Sequence, residues 1–353
     1  MTLRRRLLLP LVPVYAAGLR LKRWFESRRR SHRQSLESVV ISIGSLSAGG
    51  AGKTPLVLAL ARILHQRDYA VRILTRGYKR TSKVVEQVDP EGDAARFGDE
   101  PLLLAQRSGV PVYVGADRYA AGLLSQATPS AGTVVHLLDD GFQHRQLARD
   151  LDIVLLTLKD VDDVLFPAGD LREPLAAFRN ADIIVLRDDE AESLEAFIAV
   201  LTRETDAPPV WHIRRSLRFA TKRAILTKRP LVFCGIARPE GFSAMLAQHG
   251  IAPASTVNFL DHYRYTERDI DRLLREAHTH KADGFITTEK DAVKLTLGMR
   301  SRLERLGPLL VPELNVTFAD ERIVLEHLIS MVEKLDRRSD RRQSWPSGHR
   351  PGH

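Results

Sequence analysis

The stretch Val39-Val40-Ile41-Ser42-Ile43 leads into Ser47-Ala48-Gly49-Gly50-Ala51-Gly52-Lys53-Thr54, and a helical pattern follows over 55–66. A strand, a glycine-rich turn, a Lys-Thr pair and a helix N-terminus in this order are typical of a phosphate-binding P-loop. The glycines let backbone N–H groups curl around phosphate oxygens, and the helix dipole adds positive potential. We predict that Lys53 reaches the β- and γ-phosphates of a nucleotide. The alternative is a glycine turn without a ligand. The predicted nucleotide-binding residues are Gly49, Gly50, Ala51, Gly52, Lys53 and Thr54.

An acidic pair at a strand end is the second element of the predicted nucleotide site. The run 134–138 is typical of a buried strand, and Asp139 and Asp140 follow it directly. A P-loop needs an acid at the end of a neighbouring strand to hold Mg²⁺. Two adjacent carboxylates are unfavourable unless a cation compensates their charge. We therefore predict that Thr54, Asp139 and Asp140 hold Mg²⁺; the alternative for the two acids is a solvated loop.

From about residue 39 onward, β-branched apolar runs alternate with helical stretches, which is the pattern of an α/β fold with a mainly parallel sheet. Six strands are predicted first, at Val39–Ile43, Val71–Leu74, Val110–Val114, Val134–Leu138, Ile153–Leu156 and Ile183–Leu186. Helices are predicted at Pro55–Gln66, Pro101–Arg107 and Asp117–Ser125. A second set follows Ala207-Pro208-Pro209, with strands near Leu231–Phe233 and Gly284–Thr287. The predicted fold class is α/β: a P-loop NTPase-like, mainly parallel sheet flanked by helices, with a second, smaller α/β domain.

The chain of 353 residues is long enough for two packed domains. A tail without apolar residues to bury is expected to be disordered. The predicted division is a basic, apolar, membrane-associating helix at 1–38, a P-loop domain at 39–209, an extended linker at 210–221, a smaller α/β domain at 222–319, a C-terminal helix at 320–335 and a disordered basic tail at 336–353.

The formal net charge of +9 lies at the two ends of the chain. Residues 1–40 hold ten Lys and Arg against two Glu, and residues 334–353 hold six against two Asp. The remaining body therefore carries a net charge of −3. A groove for nucleic acid would place the excess on the body, so anionic lipid is the expected partner and nucleic acid is not. The single cysteine, Cys234, excludes a disulfide framework and fits a reducing compartment.

The N-terminal segment leaves three interpretations open. Arg4–Arg6 precede the apolar run Leu7–Leu19, which is too short to span a bilayer as a helix. The segment resembles a secretory signal peptide, a helix docked on its own domain, or an interfacial anchor. The basic pattern continues past the apolar run, with Trp24 and Phe25 embedded, which favours the anchor. A cytosolic nucleotide at the P-loop also argues against export.

Each of three further stretches, taken singly, also has an ordinary structural explanation. Asp99 and Glu100 precede a predicted helix, where acids are commonly caps. An isolated Asp261-His262 pair is usually structural. Thr288-Glu289-Lys290-Asp291 is superficially similar to the base-binding motif of GTPases, but its Lys is displaced, so it does not indicate guanine binding.

Nine stretches in order resemble the tetraacyldisaccharide 4'-kinases, the lipid A 4'-kinases of Gram-negative bacteria. The likeness covers roughly residues 1–330, and Ser47 in place of the usual first P-loop glycine is a habit of that family. Asp170 stands where the family usually has Pro, which we expect to loosen its loop, and Cys234 takes a small-residue position. The stretches are Gly44–Pro55, Thr75–Tyr78, Gly98–Pro101, Asp117-Arg118, Asp139–His144, Pro167–Pro174, Gly235-Ile236 with Pro239, Asp261-His262 and Thr288–Asp291.

The resemblance implies transfer of the ATP γ-phosphoryl group to the 4'-hydroxyl of a tetraacylated, 1-phosphorylated glucosamine disaccharide. It assigns Lys53 to catalysis and makes Asp99 and His262 the pair that accepts the sugar proton, with Asp99 nearest the hydroxyl. A carboxylate held by His gains orientation and a charge partner. Because the two residues lie on different predicted domains, domain approach would complete the site. The predicted contacts to the anionic headgroup or the transferring phosphoryl group are Arg76, Arg118, His144 and Arg172.

The expected cofactors are ATP and Mg²⁺, and the expected partners are the lipid A disaccharide precursor and an anionic membrane surface. The expected location is the cytoplasmic face of the bacterial inner membrane, with peripheral attachment. Two other function classes stay open at this point. One is a P-loop GTPase or ATPase switch that regulates a partner, and the other is a nucleic-acid-binding protein with two basic tails.

Overall fold

The computed structural model describes residues 3–28, 33–201, 208–219 and 227–343. The strands in these ranges are β1 (Val39–Ser45), β2 (Ala70–Thr75), β3 (Glu86–Gln87), β4 (Val112–Val114), β5 (Val134–Asp139), β6 (Leu151–Leu155), β7 (Ile183–Arg187), β8 (Val210–Arg218), β9 (Leu231–Cys234), β10 (Ser255–Asn258), β11 (Phe285–Thr287), β12 (Leu309–Leu310) and β13 (Glu313–Phe318). The helices are α1 (Leu3–Leu7), α2 (Val12–Arg28), α3 (Lys53–His65), α4 (Ala94–Phe97), α5 (Asp99–Ser108), α6 (Arg118–Gln126), α7 (Leu158–Asp162), α8 (Ala191–Leu201), α9 (Pro239–Gln248), α10 (Glu267–Thr279), α11 (Glu289–Ala292), α12 (Leu297–Glu304) and α13 (Glu321–Gln343). Short 3₁₀ helices cover Leu9–Leu11, Leu175–Asn180 and Asp188–Glu190.

The larger sheet has nine strands in the order β13-β8-β7-β6-β1-β5-β2-β4-β3. Its inner pairs are parallel, and only the two edge pairs, β13 with β8 and β3 with β4, are antiparallel. Every residue of β1 is buried, because helices cover both faces of a parallel sheet. The apolar runs of the central strands therefore supply the core. This arrangement confirms the predicted α/β class.

The smaller sheet contains four parallel strands in the order β10-β9-β11-β12. Its two faces carry separate apolar clusters. Phe233 and Phe285 lie in one cluster, and Val232 and Cys234 lie in the other. Adjacent side chains of β9 therefore lie on opposite faces of the sheet, because side chains alternate along a strand with a period of two. Cys234 is a buried free thiol and packs as a small apolar residue.

Strands β8 and β13 both belong to the larger sheet, although the sequence places them outside the predicted P-loop domain. The predicted linker 210–221 is extended, but Val210–Arg218 pairs with β7 and β13 inside the larger sheet. Strand β13 lies within the predicted smaller domain, 222–319, yet it also belongs to the larger sheet. Trp211 and Ile213 are buried, and their burial drives this segment into the sheet. Residues 220 and 221 of the predicted linker lie outside the described residues, and the domain boundaries stay a prediction.

The C-terminal helix runs beyond its predicted end at residue 335. Helix α13 covers Glu321–Gln343, so the first part of the tail predicted as disordered, from residue 336, is helical. Val324, Leu328 and Val332 are buried in the main core and anchor the helix. The following residues are rich in good helix formers, and Arg337 pairs with Glu333 one turn away at 3.5 Å. Residues 344–353 of the predicted tail lie outside the described residues.

The N-terminal helices are held on one side by the loop at 163–173. Arg5 Nη2 lies 2.7 Å from Asp170 Oδ1, and Arg23 pairs with Glu173. Asp170 also pairs with Lys159 at 2.8 Å, and its own N–H donates to Asp163 Oδ2 at 3.0 Å. The expectation that Asp170 loosens this loop is therefore wrong, because the residue anchors both the loop and the helix.

The same helices leave large apolar side chains in contact with solvent. None of the helices among the described residues combines the length and the apolar character needed to cross a membrane. The exposed apolar side chains on this segment are Leu7, Leu9, Leu11, Val14, Leu21, Trp24 and Phe25.

Asp291 fixes the loops of the smaller sheet, and we expect its loss to be costly. Its buried carboxylate accepts hydrogen bonds from Gly235 N at 3.0 Å and Tyr265 Oη at 2.9 Å, and it pairs with Lys294. Asp291→Ala leaves these groups unpaired, so urea unfolding should show a loss of about 3 kcal/mol. The control Glu304→Ala, on the exposed face of α12, should change stability by less than about 0.5 kcal/mol. A loss at position 291 as small as the control's would contradict this role.

Candidate active site

The loop between β1 and α3 has the backbone of a phosphate nest. Gly49, Gly50 and Gly52 have φ values of 67°, 66° and 101°, in the left-handed region that favours glycine. Helix α3 begins at Lys53, so its free N–H groups point into the loop. Lys53 Nζ lies 3.0 Å from Ser45 Oγ and 3.3 Å from Asp140 Oδ1. The loop, the helix N-terminus and the lysine thus converge on one anion-binding pocket.

Sheet topology brings the acidic pair to this pocket. Strand β5 lies beside β1, with Asp139 paired in register with Ile43, so both strands end at the same edge. Asp139 is buried, and its Oδ2 accepts a hydrogen bond from Thr75 Oγ1 at 3.0 Å. Burial, with the charges of Glu100 and Asp140, raises the pKa of Asp139 to about 7. The carboxylate sits in a region with an excess of negative charge.

Asp140 has the opposite electrostatic setting. Burial alone would raise its pKa, but Lys53 and Arg172 outweigh burial and lower the pKa of Asp140 to about 2. Arg172 Nη1 donates to Asp140 Oδ2 at 2.7 Å. The two neighbouring carboxylates therefore differ in pKa because only one of them is paired with cations.

The donors at this edge fit a magnesium ion held jointly with a nucleotide. Thr54 is buried in the first turn of α3 and offers a hydroxyl oxygen, and the two aspartates offer carboxylate oxygens. Mg²⁺ prefers such hard donors and takes its remaining ligands from phosphates and water. Throughout the part of the chain that the structure describes, no three or more His, Cys, Asp or Glu side chains form a metal-binding group. The side chains at this edge therefore do not form a complete metal-binding site by themselves.

Asp99 and His262 meet where the two sheets face each other. His262 Nδ1 donates to Asp99 Oδ2 at 2.8 Å, although the two residues lie 163 positions apart. Asp99 is in the first turn of α5 rather than at its cap, which is Gly98. His262 has a left-handed φ of 57° and contacts the edge of the Tyr78 ring. A cleft of about 190 Å³ lies beside the pair.

The pair has the electrostatics of an ion pair. The hydrogen bond to Asp99 raises the pKa of His262 above its ordinary 6.5, against the effect of burial. Burial opposes ionisation of Asp99, but the hydrogen bond and charge of His262 lower the pKa of Asp99 below its ordinary 3.8. At neutral pH Asp99 is therefore an oriented, ionised carboxylate.

The four predicted anion contacts divide into two groups. Arg118 is buried, and its Nε lacks a hydrogen-bond partner within the described ranges, as does Nε2 of His144. Burial lowers the pKa of His144 to about 4, and the charges of Arg118 and Arg76 add to the effect, so these three side chains lie near one another. Burial, and then Arg76, lowers the pKa of Arg118 to about 10. Arg172 pairs with Asp140 at 2.7 Å.

Several residues at the site were not predicted to have a role. Lys290 pairs with Glu100, and Arg107 pairs with Glu289, so the stretch 288–291 joins the smaller sheet to α5 next to Asp99. Arg149 donates to three carbonyl groups of the loop after Asp140, those of Gly141, Phe142 and His144. The acids and bases of these pairs are far apart in sequence, so no spacing could have revealed them.

A P-loop, a strand-end acid pair and an oriented carboxylate at one sheet edge define the class of this chain: it is a P-loop kinase.

Comparison with known proteins identifies the family. The model of the tetraacyldisaccharide-1-P 4'-kinase family, LpxK, matches residues 4–333. Tetraacyldisaccharide 4'-kinase of Koribacter versatilis is 38% identical over 332 residues, which span 92% of this chain and 98% of that protein. The enzyme of the same name from Geobacter metallireducens is 36% identical over 334 residues, 89% of this chain and 96% of that protein.

A crystal structure of Aquifex aeolicus LpxK in complex with ATP matches the fold with a TM-score of 0.73 at 30% identity, covering 94% of this chain and 100% of that one. The chain therefore belongs to the tetraacyldisaccharide 4'-kinase family and is an ATP-dependent kinase of lipid A biosynthesis. The predicted family, fold and enzyme class are confirmed, and neither the regulatory switch nor the nucleic-acid-binding protein is favoured.

We expect the Asp99–His262 pair to give stability a characteristic pH dependence. The contribution of His262, whose pKa is raised, is complete below 6.5 and is lost as pH rises through the folded-state value. The contribution of Asp99, whose pKa is lowered, is present above 3.8 and is lost as pH falls through the folded-state value. Measured by urea unfolding, Asp99→Asn should therefore destabilise most between pH 3.8 and 6.5, and less above the raised pKa of His262 or below the lowered pKa of Asp99. Glu91→Gln, at an exposed site, should show no such window; a pH-independent loss for Asp99→Asn would mean that the pair is not ionic.

Proposed function

We propose that this chain binds ATP with Mg²⁺ at the P-loop and transfers the γ-phosphoryl group to the 4'-hydroxyl of a tetraacylated glucosamine disaccharide 1-phosphate, with Asp99 accepting the proton of that hydroxyl. The observation that carries the proposal is the hydrogen bond between Asp99 and His262. It orients an ionised carboxylate at the edge where the phosphate nest also lies. Family membership supports the choice of acceptor.

The nucleotide would be held by the chain's own backbone and by Lys53. The N–H groups of 49–54 surround the phosphates, and Lys53 moves from Asp140 to the phosphate oxygens. Arg172 then remains to compensate Asp140. The ATP in the Aquifex aeolicus structure supports this choice of nucleotide.

Thr54, Asp139 and Asp140 would hold Mg²⁺ beside the phosphates. When bound, the ion supplies positive charge that stabilises the charge on the transferring group. Asp139 suits this role because it is buried, and burial with the charges of Glu100 and Asp140 raises its pKa despite the opposing charge of Lys53. A divalent cation relieves that excess of negative charge, so the pocket favours the loaded state.

Asp99 would act mainly by position. Its pKa is lowered, so it is a weak base, but phosphoryl transfer through a loose transition state requires little proton removal before the bond to phosphorus forms. His262 fixes the carboxylate and balances its charge. The proton of the sugar hydroxyl passes to Asp99 as the new P–O bond forms, and solvent collects it after product release.

The anionic headgroup would be bound by Arg76, Arg118, His144 and Arg172. The buried nitrogens of Arg118 and His144 that lack a partner among the described residues point to a missing ligand, since unpaired buried polar atoms are costly. Guanidinium groups match phosphate oxygens two at a time. The 1-phosphate and the transferring phosphoryl group are both anions of this type.

Helices α1 and α2 would attach the enzyme to the cytoplasmic face of the inner membrane. Their exposed apolar side chains, including Trp24 and Phe25, lie among Arg and Lys residues, which is the composition of an interfacial helix. Ion pairs at 163–173 hold the helices on the protein. Attachment by this segment would be peripheral and would bring the site to its lipid substrate.

We expect Asp99→Ala to lower kcat by about 10²- to 10⁴-fold and to leave ADP affinity within about twofold of wild type, because only the proton acceptor is lost. Formation of ADP in the presence of the lipid acceptor measures kcat, and calorimetry measures the affinity. Glu91→Ala, at an exposed position, is the matched control and should be neutral. A kcat near wild type for Asp99→Ala would remove Asp99 from the mechanism.

We expect the double change Trp24→Ala and Phe25→Ala to weaken binding to vesicles that contain anionic lipid by about tenfold or more, because two large apolar side chains no longer enter the interface. Vesicle flotation measures the bound fraction. The matched control is Leu297→Ala with Ile323→Ala, which removes two exposed apolar side chains elsewhere. Equal binding of wild type and the Trp24/Phe25 variant would place the membrane contact outside this segment.

A further inference from the structure

Arg238, in a loop of the smaller sheet, lies against the P-loop. It is the half-buried residue just before α9, and its side chain packs over Gly50. A Cβ built on Gly50 would lie 2.9 Å from Cγ of Arg238 and 3.0 Å from its Nε. A Cβ on the neighbouring Gly49 would lie 3.4 Å from that of Ala237. The φ of 66° favours glycine at position 50, and a larger residue there would also force the Arg238 side chain to move.

The guanidinium group of Arg238 adds positive charge beside the P-loop. Its side chain forms no hydrogen bond or ion pair with the residues that the structure describes. Its charge acts on two further arginines, Arg187 at the end of β7 and Arg215 on β8. Burial, then Arg215 and Arg238, lowers the pKa of Arg187 to about 10. Arg187 has Glu190 as a partner, whereas Arg238 faces the phosphate nest.

We propose that Arg238 binds the phosphate chain of the nucleotide from the smaller sheet, as a second cation opposite Lys53. The backbone around Gly50 directs its N–H groups at phosphate oxygens, and Arg238 packs against that same glycine. A guanidinium in this place can donate two parallel hydrogen bonds to a phosphate. Arginines supplied by a second structural unit act in this way on the transferring group of other P-loop proteins. The inference rests on the proposed function, because it takes ATP to lie at the P-loop.

The placement also links nucleotide binding to the proton acceptor. Arg238 and His262 belong to neighbouring loops of the smaller sheet, since the N–H of His262 donates to Gly235 O at 3.3 Å. The loops that carry Arg238 therefore also carry the residue that orients Asp99, through a hydrogen bond that is already 2.8 Å long.

Two variants separate charge from packing. Arg238→Met keeps an aliphatic stem over Gly50 but removes the charge, and Arg238→Lys keeps the charge. Calorimetry with Mg²⁺ should show that Arg238→Met weakens ADP and ATP binding by about tenfold or more, and AMP binding less, because the lost contact is to the distal phosphates. Arg238→Lys should retain most of the affinity. Arg268→Met, on the exposed face of α10, is the matched control and should bind like wild type.

Amide hydrogen exchange supplies a second readout. ADP should slow exchange over Pro239–Gln248 in wild type and not in Arg238→Met. ADP affinity of Arg238→Met within twofold of wild type, while Lys53→Met abolishes binding, would overturn the role of Arg238 and leave the nucleotide site in place. If Arg238→Lys binds as weakly as Arg238→Met, the charge is not what matters and the proposal is also overturned. If Lys53→Met binds ADP normally, the proposed nucleotide site itself is wrong.

Discussion

The hydrogen bond between Asp99 and His262 is the constraint on which the candidate site depends. It joins a helix of the nine-stranded sheet to a loop of the four-stranded sheet, and neither sheet holds the pair alone. The ion pairs of Glu100 with Lys290 and of Arg107 with Glu289 lie on the same helix and brace the junction. The Asp99–His262 pair at this edge therefore depends on the contact between two separate cores. Contact between the two cores benefits an enzyme that transfers a phosphoryl group to a sugar, because a closed site keeps water away from the reacting atoms.

Charge is unevenly distributed over the pocket. Asp140 is balanced by Lys53 and Arg172, whereas Asp139 lies among other acids with its pKa raised. Buried nitrogens of Arg118 and His144 lack partners among the described residues. The protein holds these unfavourable groups in place by packing. Such strain in the free state is what preorganised sites require.

The sequence revealed the parts of the site that are local. A P-loop and a strand-end acid pair are recognisable because their residues are consecutive, and the family likeness supplied Asp99 and His262. Strands β8 and β13 were assigned outside the larger sheet, because an extended linker and a strand have similar sequence patterns. Contacts such as Lys290 with Glu100, 190 positions apart, and Arg238 with Gly50 depend on tertiary structure. Helix α13 continues past its predicted end because the residues there have good helix propensity. The continuation was not predicted, because these residues include no apolar side chains to bury.

The decisive experiment follows the label of γ-labelled ATP when the enzyme is mixed with tetraacyldisaccharide 1-phosphate in detergent micelles. We expect label to enter the lipid at the sugar 4'-position, in step with ADP formation and only when Mg²⁺ is present. Release of the label as inorganic phosphate, with the lipid unlabelled, would contradict this expectation.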